Sequence, residues 1–198
     1  VQKSIAEEYT NRLINALKLL KVCEPHEKEC DMGPLVSEQA ACEVENKVNQ
    51  TIKQGARCVF GGKRYNKTYF EPTVLKDVTA DMDIAKDMGI FGPVVPIIEF
   101  EENDEAIKIA NQTKYGLSGG VIGRDIKAAL STALKLESGT TVVNGCGDYR
   151  TLYTPFGGHK MSGIGTEGLM LTLEEMMLTK CVALKGIVEE SVSESVLR

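Results

Sequence analysis

The sequence predicts an α/β fold, a doubly wound and mostly parallel sheet with flanking helices. Two observations support this prediction. Apolar runs of strand length alternate with segments in which apolar residues recur every three or four positions, as in amphipathic helices. The middle of the chain reads strand, helix, strand, helix, strand, for which right-handed crossovers are expected. With 198 residues, 42% of them hydrophobic, the chain is long enough to bury a sizeable core.

The first half of the chain contains two predicted helices followed by two predicted strands. Ser37 is a residue type that caps helix N-termini, so it marks the start of the second helix. Pro72 predicts that its strand lies at a sheet edge, because proline cannot donate a backbone hydrogen bond. The predicted elements are helices at 5–20 and 37–55 and strands at 57–60 and 69–75.

The second half contains the clearest alternation. The continuous apolar run Val94–Phe100 predicts a strand that is buried on both faces of a parallel sheet. Asn103 and Asp125 are predicted caps of the two helices that follow. The predicted elements are a strand at 94–100, a helix at 103–111, a strand at 117–122, a helix at 125–136, a strand at 140–144, a glycine-rich loop at 145–165, a helix around Leu173 and a final strand, Lys180–Leu184; residues 186–198 are a predicted polar tail.

The charge balance argues against two classes of partner. The formal net charge is −5, and the sequence has no basic stretch that would attract a phosphate backbone, so no nucleic-acid partner is expected. The longest apolar stretches are far too short to cross a bilayer, so no membrane partner is expected either.

The cysteines predict reduced thiols in a cytoplasmic protein, because they are scattered and no secretory leader opens the sequence. One cluster, Cys23-x-x-His26-x-x-x-Cys30, offers three metal ligands. A structural zinc site needs four, and the fourth would have to be Cys42, which lies inside a helical apolar pattern. A polar loop with two stray thiols is therefore favoured over a metal site.

A literal G-x-G-x-x-G motif spans residues 163–168. In a dinucleotide fingerprint, a buried strand delivers these glycines to a helix N-terminus. Here a polar loop precedes them, so they are interpreted as loop-shaping glycines and not as a cofactor cradle. Reasoning from residue types alone therefore gives an α/β domain with one long loop and no complete catalytic set.

Three longer motifs resemble the aldehyde dehydrogenase superfamily, in the family's order and at roughly its spacing. The motifs are Ile90-Phe91-Gly92-Pro93-Val94, then Asn111-x-Thr113-x-Tyr115-Gly116-Leu117, then Pro155-Phe156-Gly157-Gly158-x-Lys160-x-Ser162-Gly163-x-Gly165-x-Glu167-Gly168. The resemblance implies that residues 1–185 are the C-terminal portion of the catalytic domain. It also implies that an oligomerisation strand lies at about 178–185 and that the protein assembles as a homo-oligomer, a dimer or a tetramer.

The resemblance implies a reaction whose principal catalytic groups lie upstream of Val1. In such enzymes a cysteine thiolate attacks the aldehyde, hydride passes to NAD or NADP, and a glutamate activates the water that hydrolyses the thioester. No catalytic residue is expected in this chain, and Cys146 is the cysteine most easily mistaken for the nucleophile. The chain alone is expected to be inactive, with the cofactor bound mainly by the N-terminal domain. The alternative is a truncated or pseudoenzyme product that only folds and assembles.

On the cofactor side, the resemblance assigns two positions. Phe91 matches the family's phenylalanine beside the nicotinamide ribose. Gly89 stands where the family usually has a glutamate that accepts hydrogen bonds from the ribose hydroxyls. Asp87, two residues earlier, points the same way on an extended segment and is the candidate substitute for that glutamate.

On the substrate side, the resemblance assigns residues of the long loop. Phe156 matches an aromatic residue that lines the aldehyde tunnel, and Asn144 resembles an asparagine at a strand end near the site. Tyr149 and Arg150 lie in the variable stretch that shapes substrate choice. This loop looks closest to lactaldehyde- or glyceraldehyde-type members, and the Pro155–Gly158 motif favours the hydrolytic branch over the CoA-acylating one.

Overall fold

The computed structural model describes residues 1–186 and has the mixed α/β architecture that the sequence predicts. Residues 187–198, most of the predicted polar tail, lie outside the described part. The elements are α1 (Ala6–Leu17), α2 (Glu38–Lys53), β1 (Arg57–Phe60), β2 (Arg64–Tyr65), β3 (Tyr69–Phe70), β4 (Thr73–Val78), β5 (Val94–Ile98), α3 (Asn103–Asn111), β6 (Tyr115–Gly116), β7 (Ser118–Val121), α4 (Ile126–Lys135), β8 (Thr140–Val143), β9 (His159–Lys160) and α5 (Leu169–Glu175).

Within residues 1–186, the strands form one three-stranded sheet and three two-stranded pairs. The sheet has the order β1-β4-β5, with β4 antiparallel to β1 and parallel to β5. Strands β7 and β8 pair in parallel, with α4 as the crossover between them. The short pairs β2-β3 and β6-β9 are antiparallel. Each parallel pairing therefore comes with a connection long enough to return the chain to the same end of the sheet.

The main core lies between α2 and the three-stranded sheet. Helix α2 buries Ala41, Val44, Val48 and Thr51, which share one face at helical spacing. Strand β4, the central strand, supplies Leu75 and Val78, both buried. Apolar side chains from two layers thus close over each other, which is the main source of stability in such a domain.

Two helix caps are confirmed and one is corrected. The Ser37 side chain accepts a hydrogen bond from Ala40 N (3.1 Å), and Asp125 Oδ1 accepts one from Ala128 N (3.1 Å). Asn103 is the first helical residue of α3 and not its cap, since Glu102 holds the extended cap conformation. Glu102 makes no side-chain capping hydrogen bond, and asparagine is the residue type that favours a cap, so the sequence indicated the neighbouring position.

Two strand predictions need correction. Pro72 precedes β4, so β4 keeps its backbone donors and lies at the centre of its sheet, not at an edge. Strand β5, predicted to be buried on both faces, lies at one edge of the sheet within the described residues, and of its side chains only Ile97 is fully buried. The first residues cover part of this edge, because Lys3 N donates a backbone hydrogen bond to Phe100 O (2.8 Å).

The segment Lys180–Leu184, predicted as a final strand, forms no strand with any other part of residues 1–186. Its apolar side chains Val182 and Leu184 are exposed. Its role in association therefore remains a prediction. No helix among the described residues is long and apolar enough to cross a membrane.

Candidate functional site

The structure joins the three motifs of the resemblance through two charged side chains. Asp87, just before the first motif, accepts a hydrogen bond from the backbone N–H of Lys114 (2.9 Å) in the second motif. Lys160, in the third motif, donates to the carbonyl oxygens of Asn111 (2.7 Å) and Thr113 (3.0 Å) and pairs with Glu137 (2.7 Å). The three motifs, which lie far apart in the sequence, are therefore connected by direct hydrogen bonds.

Phe91 lies on a tight turn with its ring in solvent. Its φ of 49° is in the left-handed region, which a bulky residue rarely adopts, and its exposed fraction is 91%. Gly89 lies directly beneath the ring, since a Cβ there would be 2.8 Å from Phe91 Cε2. Backbone strain and an exposed aromatic ring are common at ligand sites.

Two contacts from α2 hold this turn. Lys47 donates from Nζ to Gly89 O at 2.6 Å, which the sequence did not indicate. Gly92 packs directly on the helix, because a Cβ there would be 2.7 Å from a methyl carbon of buried Val44. Both contacts hold the backbone on either side of Phe91, so the turn that carries the ring is constrained.

Asp87 is the candidate substitute for the glutamate that position 89 lacks. Its carboxylate is used by the second motif, and the hydrogen bond from Lys114 N is the main cause that lowers the pKa of this carboxyl. Thr113 Oγ1 (3.3 Å) adds a second donor. Donors of the second motif therefore already bind Oδ1 of Asp87, and the replacement of the family glutamate by this carboxylate stays a prediction.

Arg150 and Phe156 come together in the long loop. The guanidinium carbon of Arg150 lies 3.3 Å from the centroid of the Phe156 ring, a cation–π contact. Phe156 is half-buried and held by paired backbone hydrogen bonds with Glu167 (2.8 and 2.7 Å). Because the guanidinium lies on the ring, its in-plane N–H groups remain available to an anion or carbonyl.

The other predicted site residues of the loop lie nearby in sequence but make separate contacts. Asn144 directly follows β8 with a φ of 56°, and its carboxamide oxygen accepts a hydrogen bond from Gly123 N (2.9 Å). Tyr149 is exposed. Cys146 donates its thiol proton to Asp148 Oδ1 (2.5 Å), and this bond, together with the carboxylate charge, raises the pKa of the Cys146 thiol. A raised pKa disfavours the thiolate that a nucleophile needs.

Cys23 and Cys30 are joined by a disulfide bond, so the prediction of reduced thiols is wrong for this pair. Their Cα atoms lie 5.6 Å apart, inside the range that a disulfide needs. The sequence spacing places the two cysteines in one loop, but only the fold of that loop shows that their sulfurs are bonded. Within residues 1–186, no three His, Cys, Asp or Glu side chains are grouped so that they could hold a metal ion.

Comparison with known proteins identifies similar chains. The profile of the Aldehyde dehydrogenase family matches residues 1–182. A lactaldehyde dehydrogenase of Methanococcus maripaludis is 37% identical over 187 residues, which are 94% of this chain and 40% of that protein. The chain therefore spans about two fifths of the length of such relatives.

Two solved structures share the fold. Aldehyde dehydrogenase 21 from Physcomitrella patens, in complex with the reaction product succinate, has a TM-score of 0.88 and 32% identity, covering 94% of this chain and 38% of that one. Glyceraldehyde-3-phosphate dehydrogenase from Methanocaldococcus jannaschii, complexed with NADP, has a TM-score of 0.82 and 39% identity, covering 89% of this chain and 38% of that one.

Proposed function

Because the chain belongs to the aldehyde dehydrogenase family, we propose that it is the C-terminal catalytic-domain portion, residues 1–185, of an enzyme that oxidises an aldehyde to a carboxylic acid with NAD or NADP. The observation that carries this proposal is the rigidly mounted, exposed Phe91 ring within three linked family motifs. The nucleophilic cysteine and the general-base glutamate belong, in this proposal, to the part of the enzyme upstream of Val1.

Phe91 is proposed to pack against the nicotinamide side of the cofactor, which accepts a hydride when bound. The exposed ring suits a flat apolar partner, and Lys47 and Val44 limit the movement of its backbone. Gly89 offers no side-chain acceptor to ribose hydroxyls. Phe91 therefore fits the nicotinamide ring of the cofactor, whereas Gly89 has no side chain that could accept a hydrogen bond from the ribose.

Asn144, Tyr149, Arg150 and Phe156 are proposed to line the aldehyde side. Phe156 supplies a fixed aromatic wall, and Arg150 lies over it with N–H donors free for a polar aldehyde. A lactaldehyde- or glyceraldehyde-type substrate, which carries oxygen beside the carbonyl, suits these donors, and the first relative named above is a lactaldehyde dehydrogenase.

Association and location complete the proposal. Leu178, Val182 and Leu184 are exposed, at 97%, 69% and 76% of their surface, so the segment at about 178–185 has apolar area that a partner subunit can cover. We expect a cytoplasmic homo-oligomer, a dimer or a tetramer, with a small-molecule aldehyde as its other partner.

The test uses the complete natural protein that carries residues 1–198. Lactaldehyde and glyceraldehyde should each drive formation of NADH or NADPH, and F91A should lower kcat/KM by at least about tenfold by loosening the bound nicotinamide. I122A removes another exposed apolar side chain outside the proposed site and should leave the rate unchanged.

The alternative, a non-catalytic protein that only folds and assembles, predicts a different result. No aldehyde-dependent formation of NADH or NADPH by the complete protein would support it and would rule out the proposal. The chain of residues 1–198 alone should be inactive under either view. Activity of that chain that is lost in C146S would contradict the assignment of the nucleophile to the upstream part.

A further inference from the structure

The loop that carries Cys23 and Cys30 is closed by backbone contacts as well as by the sulfurs. Cys23 N donates to Met32 O (3.0 Å), and Met32 N donates to Lys21 O (3.2 Å). Asp31 Oδ2 also accepts from Lys21 N (2.8 Å). These bonds hold the two ends of the loop together beside the disulfide, and the segment between the cysteines lies between these ends.

The same loop is fastened to the hairpin beside it. Glu24 accepts a hydrogen bond from the hydroxyl of Tyr69 (2.5 Å), and the rest of Tyr69 is buried. Pro25 packs on Gly33, where a Cβ would be 3.1 Å from the proline ring. Leu35 N donates to Thr68 O (2.9 Å). Residues 31–35 therefore lie between this loop and the hairpin and contact both.

Residues 31–35 form one wall of a cavity of about 400 Å³, and Gly92 and Pro93 line it as well. Gly92 directly follows Phe91, the exposed ring of the candidate site. A change in the order of the loop can therefore affect residues 31–35. These residues line the same cavity as Gly92, whose backbone is continuous with that of Phe91.

We propose that Cys23 and Cys30 form a reversible dithiol–disulfide site, oxidised by a small-molecule disulfide, whose state sets the order of loop 23–30 and of the cavity wall at residues 31–35. This goes beyond the proposed function and does not depend on it. Both cysteines are half-buried at the protein surface, so a small disulfide can reach them.

The chemistry balances with one equivalent of the oxidant. One cysteine thiolate attacks the small-molecule disulfide and displaces one thiolate, which gives a mixed disulfide. The second cysteine then displaces the other thiolate, and the S–S bond between Cys23 and Cys30 forms. The protein loses two electrons and two protons, and the oxidant leaves as two thiols. Excess thiol reverses both steps.

The first experiment measures the bond itself in the complete natural protein that carries residues 1–198. The protein is equilibrated with mixtures of reduced and oxidised glutathione, free thiols are alkylated, and the peptides are identified by mass spectrometry. Cys23 and Cys30 should be protected together as the mixture becomes oxidising and released together as it becomes reducing. Cys146, an exposed thiol outside the pair, should remain open to alkylation or carry glutathione, but should not be linked to either.

The second experiment measures the loop. Lys28 is exposed between the two cysteines, so trypsin cleavage after it reports the order of loop 23–30. Reduction should speed this cleavage about tenfold, because the closed loop must open before a protease can bind it. The double variant C23S/C30S should be cut at the fast rate in both redox states, and C146S should behave like the wild type. Circular dichroism of each variant confirms that it folds.

Three outcomes would overturn the proposal. Alkylation of Cys23 and Cys30 in fully oxidising mixtures would show that the bond does not form. Protection that persists in excess reduced glutathione would make the bond a permanent crosslink and not a reversible site. Equal cleavage after Lys28 in both states would show that the bond does not control the loop.

Discussion

Gly92→Ala tests whether the turn that carries Phe91 is held directly on helix α2. A Cβ at Gly92 would lie 2.7 Å from Val44 Cγ2 and 3.0 Å from Val44 Cγ1, and Val44 is only 1% exposed in the main core. The side chain of Val44 cannot move away without disturbing its own neighbours. Overpacking of this kind costs about 1–3 kcal/mol. For a chain of this size, each kcal/mol lowers Tm by about 2–4 °C.

A double-mutant cycle isolates the contact. Val44→Ala removes two methyl groups and costs about 2 kcal/mol alone, but it also makes room for the new Cβ. Gly92→Ala should therefore cost close to nothing in the Val44→Ala background, which gives a coupling energy of about 1–3 kcal/mol. Gly123→Ala is the matched control, because its Cβ would meet only Ala129 Cβ at 3.7 Å. The free energy of unfolding is measured in urea by circular dichroism. If Gly92→Ala costs no more than Gly123→Ala, or its cost persists when Val44 is alanine, the direct packing is refuted.

Three further predictions concern the cofactor turn, a buried tyrosine and a helix cap. Gly89→Glu in the complete protein should tighten NAD(P) about fivefold, because hydrogen bonds from ribose hydroxyls to a carboxylate exceed the cost of moving the Phe91 ring, 2.8 Å away. Equal affinities in isothermal titration would contradict this. Hydrogen bonding to Glu24 raises the pKa of Tyr69 from 10.0 to about 12, so its contribution to stability is complete below pH 10 and is lost as the pH rises toward 12. Tyr69→Phe should remove that loss. The free energy of unfolding is measured in urea across this pH range for both proteins. If it falls equally with pH in the variant and in the wild type, the reasoning is wrong. Ser37→Ala should cost about 1 kcal/mol of unfolding free energy because the N-terminus of α2 loses its cap, and a thermal melt equal to the wild type's would exclude a capping role.

The sequence by itself determined the local elements and the family. Helical spacing identified α2 and α4, and the side chains of Ser37 and Asp125 marked their starts, because a cap acts on backbone groups only two or three residues away. The apolar run Arg57–Phe60 matched β1 at both ends. Three motifs in the right order identified the family, although residue chemistry alone reached no reaction.

Only the tertiary structure decided which of these elements meet. Nothing in the alternation of apolar residues showed that β4 would lie between β1 and β5, because strand order depends on contacts between residues far apart in the sequence. The same holds for Asp87, which the sequence made a candidate substitute for a glutamate at position 89 and which in the fold accepts a hydrogen bond from Lys114 N. Gly92 gave no sign of its contact with α2, since a glycine is required there by a neighbour 48 positions away. The Cys23–Cys30 bond has the same origin: spacing placed both thiols in one loop, and the backbone bonds between Lys21, Asp31 and Met32 brought them within bonding distance.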